Sequence, residues 1–169
     1  MKIVVTGGAG FIGSALSEKL SAKHDVLVLD NLSSGKREYL PSEVEFKKID
    51  LLRTDATKFF KDADAVYHLA ANPDVRLGER DHEMHLQQNV LVTWNLLEAM
   101  RKADCRRILF TSSSTVYGVP TQIPTPESYG PCLPVSLYGA SKLAAESFIS
   151  AYCDNYGLQG VACRMANIV

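Results

Sequence analysis

Residues 2–13, Lys-Ile-Val-Val-Thr-Gly-Gly-Ala-Gly-Phe-Ile-Gly, leave this chain few ways to fold. The run Ile3, Val4 and Val5 predicts a buried strand, the glycines a tight turn, and the apolar spacing of Phe11, Ile12, Ala15, Leu16 and Leu20 a helix that opens at once. A loop without side chains at a helix N-terminus lets backbone N–H groups approach a pyrophosphate, and the helix dipole favours the anion. The spacing fits two registers, Gly7, Gly10 and Gly13 or Gly8, Gly10 and Gly13. In both, Gly10 permits close approach of a ligand and Gly13 permits close helix–strand packing.

An ordinary glycine-rich turn would look the same up to this point, so the next strand decides. Residues 25–29, Asp-Val-Leu-Val-Leu, read as that strand, and it ends at Asp30. A carboxylate about 20 residues beyond the glycines is what hydrogen bonding to an adenosine ribose requires. The same charge would repel the extra phosphate of NADP, so the expected cofactor is NAD.

Further strands are predicted at 44–49, 64–68, 106–110 and 160–164, with helices between them, the clearest at about 84–103 and 136–157. The first of these two carries Leu86, Val90, Thr93, Leu97 and Met100 on one stripe, with Asn89 beside it. Strands alternating with helices predict an α/β fold, a doubly wound parallel sheet of Rossmann type, in one domain spanning residues 1–169. Asp50 falls at a strand end, where it could cap a following helix or contact a ligand. His68 reads as a hydrogen-bonded core histidine, whereas His82 and His85, near the charged stretch 79–83, read as a solvated helix start without a metal-site pattern. Residues 119–134 hold five of the seven prolines and predict an irregular loop of the kind that frames a substrate.

A net charge of −1 provides no basic footprint for nucleic acid or an anionic membrane. No apolar run is of membrane-spanning length, and the first strand leaves no room for a signal peptide, so a cytoplasmic protein is expected. Cys105, Cys132, Cys153 and Cys163 are scattered, which predicts buried reduced thiols and no metal site.

The second informative stretch is Tyr138-Gly139-Ala140-Ser141-Lys142. Residues four apart share a helix face. A free tyrosine, with a pKa of about 10, is a poor base at neutral pH. A nearby ammonium, together with the nicotinamide's positive charge, would favour the phenolate, so Lys142 could make Tyr138 a usable proton acceptor and also hold the nicotinamide ribose. Ser113, in the hydroxyl-rich run 111–115, could bond the same substrate oxygen. A lone Tyr-x-x-x-Lys is also what a surface helix pair looks like.

With these motifs in order along the chain, the sequence resembles the extended short-chain dehydrogenase/reductase family, most closely its UDP-glucose 4-epimerases and related nucleotide-sugar epimerases. The resemblance rests on residues 6–13, Asp30-Asn31-Leu32, Asp50-Leu51, 68–71, Asn89, 112–118, 138–142, Arg164 and Asn167. It implies that Phe11, Ile12, Asp30, Asn31, Leu32, Ser33, Ser34 and Gly35 line NAD, as do Asp50, Leu51, Leu69, Ala70, Ala71 and Asn89. It implies Ser113, Tyr138 and Lys142 as the catalytic trio, and Asn167 as a contact of the UDP-hexose diphosphate. Tyr138 would remove the 4-hydroxyl proton as hydride leaves C4, and the 4-keto sugar would turn before hydride returns.

Dehydratases of this kind carry an Asp-Glu pair after the catalytic Ser/Thr. Ser114 and Thr115 stand there instead, which counts against dehydration and the related decarboxylation. A 4-keto-sugar reductase is disfavoured by Asp30, and a non-catalytic NAD-binding module by the intact trio. Relatives continue into a smaller substrate-binding domain, so the chain is expected to be a truncated form that lacks most of the substrate pocket, and NAD binding is expected of it ahead of turnover. They are commonly homodimers, joined through helices here at about 84–103 and 138–156.

Overall fold

The computed structural model describes residues 1–76, 78 and 80–168; Glu79 of the charged stretch and the terminal Val169 lie outside the described residues. Six strands form one parallel sheet: β1 (Lys2–Thr6), β2 (Asp25–Asp30), β3 (Glu45–Lys48), β4 (Ala65–His68), β5 (Arg107–Ser113) and β6 (Gln159–Met165). Their order is β3-β2-β1-β4-β5-β6. The sheet winds outward in both directions from β1, so a topological switch point lies between β1 and β4. In register, Val4 of β1 faces Leu27 on one side and Val66 on the other.

Helix α1 (Phe11–Ser21) lies over Ile3, Val5, Val26 and Val28, with Leu20 packed against them. Its buried positions are Gly13 and Ser17, small enough to let its backbone approach the sheet. After the single turn of α2 (Thr57–Phe60), α3 (Val92–Lys102) and α4 (Leu137–Tyr156) cover the other face. There Leu96, Leu97, Met100, Ala145 and Ile149 meet Val66, Ile108 and Phe110. Ser136 caps α4 by accepting the Gly139 N–H at 3.0 Å, and Gly157 ends it in the left-handed region at φ 70°.

The predicted helix at 84–103 divides in two. Residues Leu86–Leu91 form a π-helical segment before α3 begins. The wider winding changes which side chains face inward, so Leu86, expected on the apolar stripe, is 53% exposed while His85 and Asn89 are buried. His85 thus departs from the solvated helix start expected of it. Its ring packs edge-on to Tyr138 at 5.7 Å, and its Nδ1 lies 3.3 Å from the Asn89 amide nitrogen. Asp50 caps no helix: its carboxylate accepts the Leu52 N–H at 3.0 Å in a local turn, and α2 starts only at Thr57. Of the cysteines, Cys105 is buried; Cys132, Cys153 and Cys163 are half-buried, less covered than expected, and all four are free. No described helix is long and apolar enough to cross a membrane.

A hydrogen-bonded carboxylate joins α3 to α4. Glu98 accepts from the Tyr152 hydroxyl at 2.7 Å and from the Arg101 guanidinium at 3.0 and 2.9 Å, which lowers its pKa to about 2. A carboxyl held below its ordinary value of 4.5 stabilises the fold above that pH and loses the contribution as pH falls towards 2. Glu98→Gln is therefore expected to cost about 1 kcal/mol at neutral pH, with the gap to the parent closing between those limits in acid-dependent urea melts.

Candidate active site

The C-terminal ends of the strands open onto one cleft of about 610 Å³, within the range of small-molecule and cofactor sites. Gly7, Gly10, Phe11, Ile12 and Gly13 form one wall. Of the two glycine registers, the structure selects the first. Gly7 has φ 70°, and a Cβ there would lie 2.6 Å from the Ala70 nitrogen. Gly8 is excluded from the turn role, because its missing side chain faces Val28 at 2.7 Å. A Cβ on Gly13 would sit 2.2 Å from the Gly7 carbonyl oxygen, so this glycine permits the helix to meet the strand. On Gly10 it would meet only that same oxygen, at 3.3 Å, which leaves its side open to a ligand. No side chain caps α1, and its first intrahelical bond runs from the Ser14 N–H to the Gly10 carbonyl. The preceding N–H groups are available to an anion.

Asp30 sits at the end of β2 on the same cleft. Its carboxylate accepts the Ala9 N–H at 3.0 Å and the Leu32 N–H at 2.8 Å, joining the glycine loop to the loop that follows β2. Asn31, Ser33 and Ser34 line the cleft beside it, and Asp50, Leu51, Leu69, Ala70 and Ala71 continue the wall. Three residues assigned by resemblance stand off it. Leu32 turns into the core with φ 60°, and Gly35 backs onto Ala9, where a Cβ would lie 2.6 Å from the backbone.

The third, Asn89, is buried behind the wall, because the π turn rotates it inward. It accepts the Asn72 N–H at 2.7 Å and donates to the Asn72 carbonyl at 3.3 Å and to Ser141 Oγ at 2.9 Å. In this position it holds the loop after β4 against α4. Pro73, Gln87, Gln88 and Met165 line the cleft without having been singled out from sequence. The pair Gln87-Gln88 beside Asn89 was the available signal, but only the π turn brings it to the opening.

At the far end of the cleft, β5 delivers Ser113 while the first turns of α4 deliver Tyr138 and Lys142. Lys142 is 3% exposed, donates to the Thr111 carbonyl at 2.8 Å, and lies 4.8 Å from the Phe110 ring centroid and 5.8 Å from that of Tyr138. Burial lowers its pKa to about 8. Burial raises the Tyr138 phenol, and the nearby Ser113 hydroxyl draws it back down. The phenol thus sits above its ordinary value in the protein alone, and the group that opposes burial there is the Ser113 hydroxyl.

His68 is the core histidine expected. Thr6 Oγ1 lies 2.7 Å from its Nδ1, and Thr93 Oγ1 lies 3.0 Å from its Nε2. Thr93 spends its own proton on the Asn89 carbonyl at 2.6 Å, so His68 donates through Nε2. Burial first, then the Lys142 charge, lowers its pKa to about 3. The histidine is therefore neutral beneath the lysine.

The model of the NAD dependent epimerase/dehydratase family matches residues 3–169 of this chain. The chain belongs to the NAD-dependent epimerase/dehydratase family. Within this family it is 39% identical to a UDP-glucose 4-epimerase of Streptomyces lividans, over 99% of this chain and 52% of that protein. It is 36% identical to UDP-glucuronic acid decarboxylase 6 of Arabidopsis thaliana, over 99% of this chain and 50% of that one. Among solved structures it superposes with a TM-score of 0.90 on the UDP-glucose 4-epimerase of Thermus thermophilus in complex with NAD, at 39% identity, covering 97% of this chain and 54% of that one. The chain thus spans about half the length of these epimerase/dehydratase relatives.

Proposed function

We propose that this chain is an NAD-binding and catalytic domain, residues 1–169, of an epimerase that inverts C4 of UDP-glucose and UDP-galactose through a 4-keto sugar. The observation that carries this reading is the opening of Ser113, Tyr138 and Lys142 onto the same cleft as the glycine loop and Asp30. The residues present fit the dinucleotide. Gly10 leaves space beside uncapped helix N–H groups, and Asp30 presents a carboxylate where an adenosine ribose would lie. NAD, when bound, supplies the acceptor and then the donor of the hydride.

In this mechanism Tyr138 takes the proton from the sugar 4-hydroxyl and later returns one to the same oxygen. Ser113 donates a hydrogen bond to that oxygen, and Lys142 keeps a positive charge beside the phenol. Asn167, on the cleft beyond β6, is suited to a polar contact with the diphosphate of a UDP-hexose. Decarboxylases occur among the relatives, but Ser114 and Thr115 provide no acid–base pair for elimination. The proposal includes a homodimer, supported by exposed Leu91, Trp94, Phe148 and Tyr156 on the two long helices. It also includes a cytoplasmic setting, which suits four free cysteines.

Interconversion of UDP-glucose and UDP-galactose, followed alongside calorimetric titration with NAD, tests the proposal. Turnover supports the epimerase; NAD binding without turnover would replace it with a non-catalytic binding domain. Asp30→Ala is expected to weaken NAD by about tenfold or more while affecting NADP less, which the same titration measures.

A further inference from the structure

Three consecutive hydroxyls end β5, and their protons have different destinations. Thr111 Oγ1 donates to the His68 carbonyl at 3.2 Å, and Ser112 Oγ donates to Glu146. Both are therefore spent within the fold. Ser113 Oγ is an acceptor instead, receiving the Thr115 N–H at 3.2 Å and the Thr115 hydroxyl at 2.9 Å. With both lone pairs occupied from one side, the Ser113 proton is left to point away from Thr115.

Thr115 cannot drift from this position without moving α4. Its carbonyl accepts the Gly118 N–H at 3.3 Å, and a Cβ on Gly139 would lie 2.8 Å from its carbonyl oxygen. Gly139 follows Tyr138 directly, so the turn carrying Thr115 and the helix carrying the phenol are in contact through their backbones.

We propose that Thr115 is a positioning residue, whose hydroxyl donates into Ser113 and thereby aims the Ser113 proton into the cleft, at the Tyr138 oxygen until a substrate oxygen takes its place. This rests on the assignment of Tyr138 as the proton acceptor. Hydroxyls in series polarise one another, so the donation from Thr115 strengthens the bond that Ser113 is left free to make into the cleft it shares with Tyr138. A phenolate gains from that bond more than a phenol does. Removing the Thr115 hydroxyl should therefore make Tyr138 harder to ionise without touching the NAD end of the cleft.

The test is ultraviolet titration of Tyr138, with the Tyr138→Phe protein as the blank for the other tyrosines, on the chain with and without NAD. Thr115→Val is expected to raise the Tyr138 titration by about half a unit to one unit, and Thr115→Ser to restore it. In the background Ser113→Ala the Thr115→Val change should have no further effect, because the path through Ser113 is gone. Where turnover is measured, kcat at pH 7 should fall by up to about tenfold with KM unchanged.

An unmoved titration in Thr115→Val protein that still binds NAD would overturn the proposal. So would a downward shift, which would mean that Ser113 donates to Thr115. Should Thr115→Val fail to fold, Thr115→Ala removes the same donor and is judged by the same outcomes. A chain that never turns over would fail the epimerase reading alone, since the titration stands without it.

Discussion

Tyr138→Phe is expected to lower UDP-glucose/UDP-galactose interconversion by about 10³-fold or more, at the strong end of what a positioned acid–base group contributes. The substitution removes one oxygen and keeps the ring. That ring packs against His85 at 5.7 Å, a contact that phenylalanine retains. Lys142 should also stay in place, since its ammonium is anchored to the Thr111 carbonyl and not to the phenol. The fold and the glycine loop are therefore untouched, and NAD affinity should stay within about threefold of the parent, no more than one weak hydrogen bond's worth. Initial rates and a binding isotherm on the same preparation check both halves. Unchanged turnover would remove Tyr138 from the chemistry.

Gly13→Ala should have the largest effect on the fold itself. The added methyl would lie 2.2 Å from the Gly7 carbonyl oxygen and 2.7 Å from the Gly8 Cα. Both neighbours are backbone atoms, so no side-chain rotation relieves the clash. α1 must lift from β1, or the loop must open. A destabilisation of about 3 kcal/mol is expected, at the upper end for overpacking. For a chain of this size that corresponds to a melting-temperature drop of roughly 6–12 °C. The same displacement moves the helix N–H groups that would meet the pyrophosphate, so NAD binding should fall by about tenfold or more in the protein that remains folded. Gly10→Ala, whose methyl would meet only the Gly7 carbonyl oxygen at 3.3 Å, should be milder in stability while still obstructing the ligand.

Local chemistry made much of this legible in the sequence. β-branched runs, glycines and strand-ending carboxylates specify a parallel sheet with a dinucleotide loop at its centre, and Asp30, Ser113, Tyr138 and Lys142 all face the predicted cleft. What escaped was set by winding and desolvation. A period of 3.6 residues put Leu86 inward and the charged stretch before it left His85 in solvent, and the π segment reversed both. Asn89 was placed against the cofactor, yet its amide is committed to Asn72 and Ser141 behind the wall. The Tyr138 phenol was expected to be lowered by the Lys142 ammonium together with the nicotinamide charge, and the protein alone supplies only the first. Spacing gives proximity but not burial, and burial dominates. Strand ends shifted by a residue or so, except at β5, which runs three residues further to Ser113 because β6 pairs with it throughout.

The π-helical segment at Leu86–Leu91 makes the number of residues there matter as much as their identity. Deleting any one of them would let the coil close to ordinary α pitch, and because six residues in π winding turn through about the same angle as five in α winding, the residues upstream would stay in phase. The wide turn that carries Asn89 to the crossover after β4 would be lost, while the imidazole at 85 would keep its place beside Tyr138. Substitutions can spare this segment where indels cannot, so the cleft depends on a count of peptide units as well as on the side chains that face it.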